Sequence, residues 1–313
     1  MLHVILGSGP VGCWTARALV EKGHAVRVVN RSGRRPDLLP DAAEVVAADV
    51  RDVRQAIEVS EGTASVLQML GVPYASWERD LPALQAGALA AAEAHGARYL
   101  SFENLYMYEA VGELHEESRI APPGRKGALR QRLAEGVRAA HASGRVRATT
   151  LRAADLYGPG VTQSLFGERF FAPLLAGKGA QWIGDADVPH AAAYAPDVGR
   201  AAAELVTYES SLGKLWFAPH APAITPEAWA TLAASVANVE AKVRAMGPWT
   251  LRLGAAFRRD AREMVELLPN LTRPYLVSSK RIDAVYGLRA TPPSEGVPAT
   301  VAWFEQRRAS PAG

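Results

Sequence analysis

The sequence predicts a doubly wound α/β fold, a parallel sheet covered by helices, with a smaller and partly helical C-terminal lobe. Three observations predict it. Short apolar runs alternate with helical patterns throughout the first half of the chain. A glycine-rich turn, Gly7-Ser8-Gly9-Pro10-Val11-Gly12, stands directly between the first such run and the first helical pattern. After Tyr157 the rhythm breaks at Gly158-Pro159-Gly160, and a mixed aromatic region follows.

The elements follow in order. His3–Leu6 reads as a strand and Val11–Lys22 as a helix with an apolar face. Ala25–Asn30 and Glu44–Ala47 are the next strands, and Val53–Val59 is a short helix. Ser65–Leu70 is a strand; Leu81–His95 is a helix that Gly96 stops. Arg98–Phe102 is a strand, Ala128–His141 a helix ending near Gly144, and Arg147–Arg152 a further strand. Beyond the break, Ala195–Val206 is a helix returning to the sheet and Lys214–Phe217 a strand. Thr225 caps a helix with Pro226 in its first turn, running to about Gly247. A second helix is expected over about 250–267, stopped by Pro269. These signals assign 1–160 to a dinucleotide-binding domain, to which 195–220 returns. Residues 161–194 and 221–313 form a substrate-binding lobe.

Bulk composition excludes several classes. Of 313 residues, 49% are hydrophobic and 21% charged, enough to bury a core. The net charge is only +3 and no run of five or six like charges occurs, which argues against a nucleic-acid partner. The single cysteine, Cys13, rules out a disulfide framework and reads as a small buried filler; the seven histidines lack metal-ligand spacing. No stretch is long and apolar enough to span a bilayer, and the N-terminus enters a strand with no leader pattern. The expectation is a soluble cytoplasmic protein acting on a small molecule.

The glycine turn predicts a dinucleotide site. Its first glycine makes the bend, its second lets backbone approach a pyrophosphate, and its third lets the helix pack on the strand. Gly7, Ser8, Gly9, Pro10, Val11 and Gly12 are therefore assigned to the cofactor. At the end of the second strand an NAD site places a carboxylate. Here Asn30 stands there, followed by Arg31-Ser32-Gly33-Arg34-Arg35. Asn30, Arg31, Ser32 and Arg34, with Arg35 as an alternative to Arg34, suit a 2′-phosphate, because guanidinium forks onto phosphate oxygens. NADP(H) is favoured over NAD(H), which the turn would also accept.

With these residues in view, the chain resembles the extended short-chain dehydrogenase/reductase superfamily, in its NAD-dependent epimerase/dehydratase group, over nearly its whole length. Ala48-Asp49-Val50-Arg51-Asp52 resembles the family's adenine-contacting D-x-x-D segment, which implies Asp49 and Val50 at the adenine. Leu70-Gly71 stands where the family has a small pair beside the cofactor. Arg152-Ala153-Ala154-Asp155-Leu156-Tyr157-Gly158-Pro159-Gly160 is similar to its R-x-x-x-x-Y-G-P-G segment, and Tyr194–Val198 to its V-x-D-V return. The resemblance implies a Rossmann fold and hydride chemistry.

The family's catalytic signature is altered. In Pro122-Pro123-Gly124-Arg125-Lys126-Gly127-Ala128-Leu129-Arg130, Lys126 stands at the catalytic tyrosine position and Arg130 at the lysine position. Anchoring on Glu135 instead gives Gly127 and Gln131. Neither register contains Y-x-x-x-K. Asn104 or Phe102 falls at the family's serine, depending on whether Tyr108 or Tyr106 is its strand-end tyrosine. Proton transfer therefore falls to Lys126, also assigned to the cofactor, or to Tyr106 or Tyr108. On an extended segment the two tyrosines and Asn104 would face one way. Arg130 would hold an anionic substrate or the nicotinamide ribose, Glu103 a ribose or neighbouring backbone, and His190 is a lesser proton-transfer candidate. Phe166, Phe170, Phe171, Trp182 and Trp249 are either an apolar pocket or core.

The functional expectation is an NADP(H)-dependent oxidoreductase that reduces a small apolar or aromatic ketone or enone with a non-standard proton donor. The alternatives are a catalytically degenerate NADP(H)-binding sensor or scaffold and, ranked lowest, a sugar-nucleotide epimerase or dehydratase. The C-terminal helices would either pair with a second copy as a homodimer or close over the substrate.

Overall fold

The computed structural model describes residues 1–251, 265–266 and 268–309. These fall into two compact units: Met1–Asn104 with Ala128–Arg152 and Val198–Ala218, and Leu105–Gly127 with Ala153–Asp197 and Pro219–Gly313.

The first unit holds a seven-stranded sheet. Its strands are β1 (Leu2–Leu6), β2 (Ala25–Asn30), β3 (Glu44–Ala47), β4 (Ser65–Gln68), β5 (Arg98–Asn104), β6 (Arg147–Ala153) and β7 (Leu215–Phe217). The spatial order is β7-β6-β5-β4-β1-β2-β3. The strands run parallel, with Leu6 opposite both Val29 and Gln68. Strands buried on both faces need continuous apolar runs, and Val4, Ile5, Leu6, Val28, Val29, Val66 and Leu67 supply them. Helices α1 (Pro10–Glu21), α2 (Val53–Glu58), α3 (Trp77–Ala94) and α4 (Arg125–Ala142) are the covering elements. This is the predicted doubly wound Rossmann-like fold. The strand order reverses at β1 and β4, the kind of point beside which open α/β sheets bind ligands.

Two helices start several residues earlier than their sequence patterns predict. α3 begins at Trp77 rather than Leu81, because the Trp77 indole is buried and donates to the Val72 carbonyl at 2.9 Å. α4 begins at Arg125 rather than Ala128. The Lys126 N–H donates to Glu266 Oε1 at 2.7 Å, so a carboxylate 140 residues away serves the free N-terminus of the helix.

The second unit packs an aromatic core from Tyr157, Phe166, Phe170, Phe171, Trp182, Trp229 and Phe304. The residues 166, 170, 171 and 182 are thus core and not pocket lining, while Trp249 is 76% exposed. Short parallel pairs tie this unit: Asp155–Tyr157 with Ala192–Tyr194, Ala180–Ile183 with Val243–Met246, and Glu113–Leu114 with Leu276–Val277. The last pairing holds 105–127 in this unit, although the sequence reading counts that segment with the first domain. The helix after Thr225 ends at Ala237 and not near Gly247: Asn238 takes a left-handed conformation with φ 53°, and 243–246 pairs as a strand instead. The helix expected over 250–267 lies largely outside the described residues. Among the described residues, no helix is long and apolar enough to cross a membrane.

Candidate active site

The glycine turn has the geometry its residues require. Gly7 adopts φ 115°, and a Cβ there would lie 2.7 Å from the Met69 carbonyl oxygen at the end of β4. A Cβ on Gly12 would overlap the Gly7 carbonyl oxygen, so α1 sits hard against the turn. Gly9 is different: nothing lies within 4 Å of where its Cβ would be. Gly9 is also the N-cap of α1, with no side-chain hydrogen bond across the helix start and Pro10 pre-set behind it. Open space over an uncapped helix start fits a pyrophosphate. Val11 is buried, and Leu70 packs partly buried against the core cluster that includes Val4, Leu6 and Val29. Gly71 meets nothing within 4 Å. Cys13 is buried, which pushes its thiol up to about 11 and leaves it inert.

Asn30 organises the loop after β2. Its Nδ2 donates to Ser8 Oγ at 3.1 Å and to the Arg34 carbonyl at 2.9 Å, which joins the loop to the glycine turn. Its Oδ1 accepts from the Ser32 N–H at 3.0 Å and hydroxyl at 3.1 Å. Arg31 and Arg34 are exposed. Arg35 is not available as the sequence reading proposed, because its guanidinium donates to the carbonyls of Pro40 and Ala43. Asp49 is chelated by Arg51, which holds its carboxyl below the ordinary range; the charge of Arg31 acts in the same direction. Val50 is buried.

The polar strip at 102–130 is rearranged relative to expectation. β5 ends at Asn104, and a turn follows in which the Tyr108 N–H donates to the Leu105 carbonyl at 3.0 Å. The alternation rule therefore does not extend to the tyrosines. Tyr108 is wholly buried and bridges Ile120, whereas Tyr106 is half-buried. Asn104 is half-buried at the strand end. Glu103 accepts from Arg152 Nε at 2.8 Å and from Ser101 Oγ at 3.0 Å, a buried ion pair that leaves it for structure rather than ribose. Lys126 is 5% exposed, with Nζ 3.2 Å from Glu266 Oε2. Arg130 lies over the Trp77 ring at 4.4 Å. A Cβ on Gly127 would overlap the Tyr106 carbonyl oxygen, so no larger side chain fits at that position.

A second cluster lies inside the second unit. Asp155, His190, Tyr275, Tyr106 and Asn270 line a cavity of about 10 Å³. Leu165 and Leu271 complete its wall. His190 Nε2 lies 2.8 Å from Asp155 Oδ2, and the ring stacks on Tyr275 with centroids 4.9 Å apart. The backbone at His190 bridges both Ile224 and Tyr275, which fixes the ring in place. The Tyr275 hydroxyl has no hydrogen-bond partner among the described residues. Burial first, then the charge of Asp155, pushes it well above the ordinary tyrosine value, so it stays a donor. His190 is legible in the sequence and Tyr275 is not, since no local pattern marks a residue whose role depends on segments 85 and 120 residues distant.

Solved structures of the same fold span the whole chain. A UDP-glucuronic acid 4-epimerase from Bacillus cereus in complex with NAD aligns with a TM-score of 0.79 at 14% identity, covering 100% of this chain and 99% of that one. An epimerase from Methanothermobacter thermautotrophicus gives 0.81 at 16% identity, with 98% and 93% covered. A dTDP-glucose 4,6-dehydratase from Streptomyces venezuelae with NAD bound gives 0.80 at 16% identity, with 99% and 98% covered. No curated protein sequence matches the chain. The family model for NAD dependent epimerases and dehydratases matches residues 4–211, a span that includes the glycine turn, the loop after β2 and the altered strip. The chain belongs to the NAD-dependent epimerase/dehydratase family.

Proposed function

We propose that this protein is a pyridine-dinucleotide oxidoreductase that prefers NADP(H) and reduces a small carbonyl compound. The observation that carries the reading is the open space over Gly9 at the uncapped start of α1, beside a β2 end with no carboxylate. Bound there, the cofactor supplies hydride to a carbonyl carbon. Gly7–Gly12 hold the pyrophosphate, and Arg31, with Ser32 and Arg34, holds the 2′-phosphate. Asn30 orders that loop through its bonds to Ser8, Ser32 and Arg34.

Tyr106 is the proton donor in this reading. Of the two tyrosines it alone keeps exposure, and it lines the cavity that also holds Asp155 and His190. Lys126, anchored by Glu266, serves as a fixed charge. The expected preference for apolar or aromatic substrates loses its support, because the aromatic residues it rested on are core or exposed.

A cofactor-binding protein without turnover is the second reading, favoured by the Lys126–Glu266 pair and the blocked position at Gly127. Sugar-nucleotide epimerisation or dehydration, after the similar NAD complexes, ranks third. The β2 end that suits a 2′-phosphate and the altered strip both weigh against it.

Calorimetry with NADPH and NADH, followed by NADPH consumption across a carbonyl panel, separates these readings. Arg31→Ala should weaken NADPH binding about tenfold, roughly 1.4 kcal/mol, and leave NADH unchanged. Tyr106→Phe should lower turnover by roughly 10²–10⁴. Full turnover in Tyr106→Phe, Tyr108→Phe and Lys126→Ala alike would refute the catalytic assignment. Binding with no turnover on any carbonyl would establish the second reading. A nicotinamide absorbance retained by the purified protein would favour the third.

A further inference from the structure

The cavity in the second unit is chemically specific. The buried Tyr275 hydroxyl has no partner among the described residues, and folded proteins rarely leave such a group unsatisfied. Tyr275 is 2% exposed, so bulk solvent does not serve it. The adjoining space of about 10 Å³ is close to the room that one water-sized group needs. Asp155 presents the complementary function. Its Oδ2 lies 2.8 Å from His190 Nε2, a bond that does not use Oδ1.

We infer that this cavity is a binding site for a single neutral hydroxyl oxygen, which accepts a hydrogen bond from Tyr275 and donates one to Asp155. The donor set excludes the other candidates of this size. A carbonyl or ether oxygen has no proton to give the carboxylate and would meet it lone pair to lone pair. An anion would be repelled by Asp155. A metal ion would find one carboxylate where it needs several oxygen ligands. Leu165 and Leu271, which also line it, offer a larger polar group no side-chain hydrogen bond. Two sources supply such a hydroxyl: water, or a hydroxyl group carried by the substrate. The second rests on the oxidoreductase reading and narrows its substrate to a hydroxyl-bearing ketone or aldehyde. Tyr106 lines the same cavity, so a hydroxyl seated there would bring the neighbouring carbonyl to the proposed proton donor.

Crystal structures of the full chain and of Tyr275→Phe, at a resolution that shows ordered water, test the site. One oxygen within about 2.7–3.2 Å of both Tyr275 and Asp155 is expected in the parent and absent in the variant. An empty cavity in the parent, or the same oxygen retained in Tyr275→Phe, would overturn the inference, and the parent alone decides if the variant does not fold. The source is read from kcat/KM for a hydroxyketone against its deoxy analogue. A preference of at least about tenfold that falls to near unity in Tyr275→Phe establishes the substrate hydroxyl. An ordered oxygen with no such preference establishes water. If no carbonyl is reduced at all, the oxidoreductase reading fails while the crystallographic result still decides the site.

Discussion

Two largely buried carboxylates in this protein have opposite fates. Glu103, in the sheet of the first unit, is 4% exposed and both its oxygens are engaged, one by Arg152 and one by Ser101. Asp155, in the second unit, has a side chain 12% exposed; His190 takes one oxygen, and the residue lines a cavity. A carboxylate with both oxygens already bonded can only hold the fold. One with an acceptor left over, next to a hydroxyl that lacks a partner, can still bind a ligand. Two tyrosines follow the same division. The Tyr99 hydroxyl is bonded to Gln68, whereas the Tyr275 hydroxyl has no such partner among the described residues. Function is to be sought where hydrogen-bonding capacity is left unused.

The largest expected effect tests the carboxylates directly. Glu103→Gln removes the carboxylate charge that faces the buried Arg152 guanidinium and should cost about 3–5 kcal/mol in chemical denaturation. Asp155→Asn keeps an oxygen that accepts from His190 and should cost no more than about 1.5 kcal/mol. Equal losses would erase the distinction between the two sites.

Acid sharpens it next. His3 is buried beside His24 and Ser65, and burial, with the nearby charges of His24 and the N-terminus, lowers it from 6.5 to about 4. The unfolded chain binds the proton more readily between those values. Stability is therefore full above about pH 6.5 and declines as pH falls toward 4, by up to about 3 kcal/mol. His3→Gln should flatten that part of the stability–pH curve, measured by urea unfolding. A curve of unchanged slope would remove His3 as the cause.

The smallest effect separates the tyrosines. Tyr99→Phe strands the buried Gln68 oxygen and should cost about 1–3 kcal/mol. Tyr275→Phe removes a hydroxyl that no described side chain uses, and should cost less than about 1 kcal/mol. Thermal unfolding of the two variants side by side would show equal or reversed losses if the Tyr275 hydroxyl supports the fold as strongly as that of Tyr99.

Much of the first unit was legible beforehand. Alternating runs located the strands of the sheet, and Gly7, Gly9 and Gly12 behave as their spacing demands, because a tight turn constrains neighbours in the chain. The readings that failed depended on distant residues. Glu103 looked like a ribose ligand until Arg152 met it. The start of α4 moved because Glu266 reaches it, and the helix after Thr225 stopped early because 243–246 found a strand partner.

The amino-acid order alone determined the parallel sheet, the tight glycine turn and the absence of a carboxylate after β2, since each follows from backbone sterics or charge within a few residues. Only the tertiary structure decided which ionisable groups remain available: Lys126 and Glu103 are engaged, while Asp155 and Tyr275 face a common cavity. The reason is that a side chain's remaining hydrogen-bonding capacity depends on which groups folding brings against it, and those groups come from far along the chain.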